Sequence, residues 1–251
     1  MEILRFKQLE NAWLILLISF LSGSTTVIGA ILAFFLKEER SYVSMGVGFS
    51  SGVMIVISFL ELVATALTMM DELFVIFAFA LGFVFVLIID VRLPHMHLIE
   101  EKGPSGRLIK ISYLVAIGII IHDFPEGFAM ASSFWVEVRL GLLVALGIAM
   151  HNIPEEFALA VPLALAKETK LLLELLVLSA LAEPFGAIFG IALSSLIPQF
   201  NALLLSFAAG VMVFVSVDEL VPLAYEHDGM HYFAVGLIAG ITSFMILSRF
   251  L

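Results

Sequence analysis

Residues 113–131 read YLVAIGIIIHDFPEGFAMA, and residues 142–160 read LLVALGIAMHNIPEEFALA. Eleven of the nineteen positions match. Shared Leu, Val and Ala follow from an apolar composition, but a shared His-x-x-Pro-Glu does not. The chain carries two copies of one ionisable core inside two apolar stretches. Groups of that kind are costly in lipid, and they face a cavity or a partner when they occur there.

The surrounding chain is as apolar as that reading requires. It has 251 residues, 62% hydrophobic and only 14% charged, with a mean hydropathy of +1.14. A soluble domain carries about 25% charged residues, so this chain has too little polar surface for water. A net charge of −10 argues against nucleic acid as a partner. Cysteine is absent, which excludes disulfides, thiolate metal sites and thiol catalysis. The first apolar run is longer than a signal-peptide core, and no cleavable signal is expected.

Working outward from the two motifs, eight apolar segments are long enough to span a bilayer: 12–36, 42–69, 73–91, 109–134, 140–166, 170–196, 202–224 and 232–250. Loops are short, and the longest, Val91 to Gly106, holds His95 and His97. The whole chain, 1–251, reads as one transmembrane domain. With the N-terminus outside, eight basic residues fall on inner loops (Lys37, Arg40, Arg92, Lys102, Arg107, Lys110, Lys167, Lys170) and four outside (Arg5, Lys7, Arg139, Arg249). That asymmetry places both termini outside a cell membrane crossed many times.

A second repeat extends the pattern. Residues 48–62, GFSSGVMIVISFLEL, match residues 206–220, SFAAGVMVFVSVDEL, at seven of fifteen positions. Helices 2 and 7 run in opposite directions, as do helices 4 and 5. The expected fold is therefore all-α and integral to the membrane. Eight helices are arranged 3+2+3, with helices 1–3 related to 6–8 and helix 4 to helix 5 by inverted repeats. Secondary transporters share that layout, with the substrate site at the midplane between repeats.

On a helix, residues i and i+4 share a face. His122 and Glu126 then project together, as do His151 and Glu155, with Asp123 and Asn152 about 100° round. Glu183 falls at mid-depth on helix 6, and Met54 at mid-depth on helix 2, where it could add a thioether. Pro125 and Pro154 free the carbonyls of Ile121 and Met150, and such backbone is tolerated at depth where it lines a cavity. Imidazole with carboxylate suits zinc and other first-row divalent ions, whereas an all-oxygen site suits calcium or magnesium. The metal is expected as cargo, and no catalytic cofactor is expected.

These motifs resemble those of the ZIP (Zrt/Irt-like protein) metal transporters, in particular the bacterial ZupT type. HDFPEG and HNIPEE are similar to the family's tandem motifs, and Ala182-Glu183 to its helix 6 carboxylate. GFSSGVM, SVDELVPLA and the LPHMH loop are similar as well. The resemblance implies a binuclear site. One ion would lie on His122, Glu126, His151 and Glu155, with Met54; the other on Asp123, Asn152 and Glu183, sharing the two glutamates. It further implies inward transport of zinc, and of iron, manganese, cobalt or cadmium, by an elevator-like movement, often in a homodimer.

Two residues depart from the family pattern: Asp123 stands where Asn is usual and Glu156 where Gly is usual. Both add negative charge, which should favour harder or additional cations such as manganese or iron, or a protonated resting state. Glu61 and Glu219 are equivalent in the 2/7 repeat. Inverted topology puts Glu61 outward, and Glu219 with Asp218 inward, where they would stage an ion at entrance and exit. A proton or alkali-cation antiporter is one rival reading. An intramembrane metal-dependent hydrolase is another, and it lacks a His-Glu-x-x-His motif.

Overall fold

The structure, a computed structural model, describes residues 12–36, 40–92, 122–226 and 229–251, and no strand occurs among them. Seven of its helices are long and apolar enough to cross a membrane. They are α1 (Ala12–Leu36), α2 (Ser41–Met69), α3 (Glu72–Val91), α5 (Val138–Ala166), α6 (Thr169–Leu196), α7 (Pro198–Tyr225) and α8 (Met230–Phe250). Between α3 and α5 lies a further helical segment, α4, at 122–136. The first half of the span expected at 109–134 lies outside the described residues, as do His95 and His97. The remaining expected boundaries agree to within a few residues, because lipid-length apolar runs leave little choice.

Burial sorts the helices. In the most apolar window of α5 and of α7, 67% of residues are buried inside the protein, against 22% for α3 and α8. The central helices also carry the polar side chains, since the membrane interior tolerates ionisable groups only where protein covers them. Trp13, Phe35, Phe74, Phe77 and Ile238 point outward from the peripheral helices, as lipid-facing side chains do.

Two groups of helices form. In one, α1 packs on α5 and α6, and α6 meets α4 through Gly186 and Gly190. In the other, α8 packs on α2 and α3 on α7, while the middle of α2 touches α7. The groups meet mainly where α2 crosses α5. Small residues let backbones touch, the usual mode of packing in lipid.

The closest approaches recur at repeat-related positions. Gly52 abuts the backbone of Leu237 and Ile241, and Gly210 that of Phe79 and Phe83. Gly82 abuts the Phe207 carbonyl, and Gly240 that of Phe49. In the other group, Gly29 lies on the backbone of Ile153 and Phe157, and Gly186 on that of Phe124 and Phe128. The 2/7 alignment pairs Gly52 with Gly210 and Phe49 with Phe207, and the 4/5 alignment pairs Phe124 with Ile153 and Phe128 with Phe157.

Three helices depart from regular α geometry. α2 contains a π segment at Ile57–Val63, and α7 one at Ser216–Leu220. Ser58 donates to the Met54 carbonyl at 2.7 Å, and Ser216 to the Met212 carbonyl at 2.8 Å. π turns of this kind recur at functional sites. α1 breaks at Ser24-Thr25. The hydroxyl of Thr25 bonds the carbonyls of Ser22 (2.7 Å) and Ala149 (3.1 Å), and that of Thr26 bonds Gly23 (2.7 Å). The hydroxyls thus bond carbonyls at the break and, through Ala149, tie it to α5. α5 ends at Lys167, whose φ of 63° is left-handed.

Candidate metal centre

α4 and α5 each bring a His, a Glu and a Pro to the middle of the molecule. His122, Glu126, His151 and Glu155 are all at most 2% exposed, and Asp123, Asn152, Glu183 and Met54 at most 3%. Every site residue expected from the sequence is therefore buried, and most of them meet.

The pairing crosses between helices. His122 Nε2 lies 3.0 Å from Glu155 Oε2, and His151 Nε2 lies 2.9 Å from Glu126 Oε1. These are repeat-equivalent contacts. The Asp123 carboxylate lies 3.5 Å from His122 Nε2 and accepts a hydrogen bond from the Ser179 hydroxyl at 2.8 Å. His122, Asp123 and Glu155 each offer a ligand atom, all within 4.8 Å of one another. That spread suits closure around one cation, since metal–ligand bonds to nitrogen or oxygen are about 2 Å.

Beside this cluster, the Asn152 amide donates to Glu183 Oε1 and to the Ser22 carbonyl at 3.4 Å. Asn152 and Asp123 are repeat-equivalent and touch α1 and α6 respectively, through Ser22 and Ser179. Met54 lies apart from these polar contacts, its sulfur accepting from the Ser216 hydroxyl at 3.6 Å. One turn earlier on α2, Ser50 donates to the His151 carbonyl at 2.8 Å. Its bond ties α2 to α5 next to Pro154.

Charge and satisfaction point the same way. Five carboxylates are buried among the described residues, Asp123, Glu126, Glu155, Glu156 and Glu183, and no Lys or Arg is buried with them. His122 Nδ1, His151 Nδ1, Glu126 Oε2, Asn152 Oδ1 and Glu183 Oε2 have no hydrogen-bond partner, nor does either oxygen of Glu156. Buried polar atoms are nearly always paired, and buried charges are paired or coordinate metals. A divalent cation between α4, α5 and α6 meets both needs.

Sequence reasoning missed Ser22, Ser50, Ser179 and the reach of Glu219, whose carboxylate lies 4.0 Å from His122 Nδ1. A signal for the first and third was present. Ser22 precedes Gly29-Ala30-Ile31 and Ser179 precedes Gly186-Ala187-Ile188 at the same spacing, which carries the repeat into helices 1 and 6.

With this geometry in view, the comparisons are specific. The family described as ZIP Zinc transporter matches residues 95–248. A Streptococcus mutans protein named Zinc transporter ZupT is 38% identical over 242 residues, covering 88% of this chain and 91% of its own length. Proteins of the same name from Campylobacter jejuni (38%; 92% and 94% covered) and Chlorobium phaeovibrioides (41%; 90% and 93%) are similar along almost their whole lengths. The chain belongs to the ZIP family. ZIP proteins are transporters, not enzymes, and with its apolar helices this ZIP chain is a multi-pass membrane protein.

Proposed function

We propose that this protein carries divalent transition-metal ions, zinc foremost, across the cell membrane into the cytosol. The observation that carries the reading is the reciprocal His122–Glu155 and His151–Glu126 pairing, with its unpartnered ligand atoms. The names of the relatives agree with it.

Two ions share the site. One takes His122, His151, Glu126 and Glu155, and Met54, which here accepts from Ser216, joins it as a thioether ligand. The second takes Asp123, Asn152 and Glu183, bridged by the two glutamates. Iron, manganese, cobalt and cadmium share the coordination preferences that admit zinc.

Passage is by alternating access. The group α1, α4, α5 and α6 carries nearly all the ligands, while α2 and α7, in the other group, carry Met54 and Glu219. Movement of the first group against the second, elevator-like, changes the side to which the ligands open. The matched glycine contacts within the groups and the repeat-equivalent π segments support an inverted-repeat architecture of eight helices in a 3+2+3 order. The basic-residue asymmetry supports termini outside the cell. Association as a homodimer belongs to the same reading and is checked by mass measurement in lipid nanodiscs.

The test is zinc-65 uptake by the purified protein in proteoliposomes, with sodium and proton flux measured on the same preparation. Zinc should accumulate, and His122→Ala combined with His151→Ala should stop it. Sodium or proton flux without zinc uptake would overturn the reading in favour of an antiporter.

A further inference from the structure

The centre is symmetric, but its surroundings are not. His122 and His151 are repeat-equivalent, fully buried, and bound through Nε2 to matching glutamates. Each leaves Nδ1 without a hydrogen bond. Glu219, in the π segment of α7, brings a carboxylate oxygen to 4.0 Å from His122 Nδ1. Its counterpart Glu61, in the π segment of α2, makes no such approach to His151, whose ion pairing is with Glu126.

The charges around the two glutamates differ in kind. Glu219 stands near Asp90, at the end of α3, and Asp218. Glu61 stands near Arg139 and Glu137, at the turn between α4 and α5. The two carboxylates therefore look toward opposite ends of the bundle. Arg139 is also fixed elsewhere, donating to the Ser248 carbonyl at 3.1 Å.

In a transporter built from inverted repeats, the two halves exchange conformations when access alternates. What one half does now, its counterpart does in the other state. We infer that Glu61 is a cation-binding residue of the oppositely open state, where it faces His151 Nδ1 as Glu219 here faces His122 Nδ1. An ion entering from the α4–α5 turn meets the Glu61 carboxylate first and passes to the His151–Glu126 pair. Glu61 lies in the π turn at Ile57–Val63, a departure from α geometry of the kind that recurs at functional sites. Divalent transition-metal ions are the ligand class, as imidazole and carboxylate together require. The inference rests on the proposed transport function and adds a residue and a sidedness to it.

The experiment is zinc-65 entry into right-side-out and inside-out membrane vesicles bearing the full chain. Glu61→Gln should raise the half-saturating zinc concentration about tenfold on the face of the α4–α5 turn and leave the other face unchanged. Glu219→Gln should do the reverse, and Glu61→Asp should restore part of the loss. Because the chain has no cysteine, Glu61→Cys with His151→Cys gives a second measurement that survives loss of transport. That pair should form a cadmium- or oxidant-induced cross-link, as should Glu219→Cys with His122→Cys. Normal wild-type transport with equal or absent effects of Glu61→Gln on the two faces, or no 61–151 cross-link beside a good 219–122 one, overturns this inference alone. A wild-type protein that moves no zinc overturns the proposed function and this inference with it.

Discussion

His122 is bonded to Glu155 of the neighbouring helix, at 3.0 Å, rather than to Glu126 one turn along its own. The i, i+4 rule places His122 and Glu126 on one face correctly, yet each finds its hydrogen bond on α5. The outcome is a pair of rungs between antiparallel-repeat helices, each satisfying one nitrogen and one oxygen that lipid could not.

Residues in one hydrogen-bonded pair couple by about 0.5–3 kcal/mol, whereas independent ones add. His122→Ala and Glu155→Gln should therefore be strongly non-additive in unfolding stability measured in detergent without metal. His122→Ala with Glu126→Gln should lie closer to additivity. Equal coupling in both cycles would mean that the four side chains act as one undivided cluster rather than as two crossed pairs.

Asp123 and Glu156 place two further carboxyl groups beside the His/Glu pairs. Glu156 is 1% exposed, with neither oxygen hydrogen-bonded, and Asp123 is among the charges near it. Hard cations gain more than zinc from added carboxylates. Asp123→Asn and Glu156→Gly should each shift uptake from manganese and iron toward zinc, several-fold in the ratio. Competition assays with manganese-54 and zinc-65 measure it, and an unchanged ratio in both variants removes any role for these two residues in selectivity.

Much of this was legible because lipid restricts the options. Runs of twenty apolar residues marked the spans, and His122, Glu126, His151 and Glu155 stood out as ionisable groups where few belong. Contacts with weak sequence signatures were harder to read. Ser179 reaching Asp123 depends on how closely α6 approaches α4, which Gly186 and Gly127 set. Glu219 reaching His122 depends on the π turn in α7, and nothing in SVDEL announces an extra residue per turn. The choice of Glu155 over Glu126 as the partner of His122 is tertiary, and helix periodicity is silent on it.

Lys167 closes α5 in the left-handed region, with its N–H directed at the Ala164 and Leu163 carbonyls. A side chain there costs about 1–2 kcal/mol, which glycine avoids. Lys167→Gly should raise the midpoint of thermal unfolding slightly and leave zinc uptake unchanged, as read by tryptophan fluorescence and zinc-65 flux. A drop in stability would mean that the lysine side chain contributes more than its backbone strain removes.

Gly186 and Gly82 separate fold from site. A methyl at Gly186 would strike the Phe124 carbonyl, and one at Gly82 the Phe207 carbonyl. Neither obstacle is a flexible side chain, so a helix must move, at about 1–3 kcal/mol. Gly82→Ala pushes α3 from α7, within the helix group that carries neither member of the His/Glu pairs. Gly186→Ala pushes α6 from α4, and with α6 go Glu183, which holds Asn152, and Ser179, which holds Asp123. Both variants should lose similar thermal stability. Only Gly186→Ala should also weaken zinc binding in detergent, by about tenfold or more, as expected when residues supporting a ligand set are displaced. Calorimetric titration of the two proteins decides it. Equal zinc affinity in both variants would mean that α6 does not help to build the site.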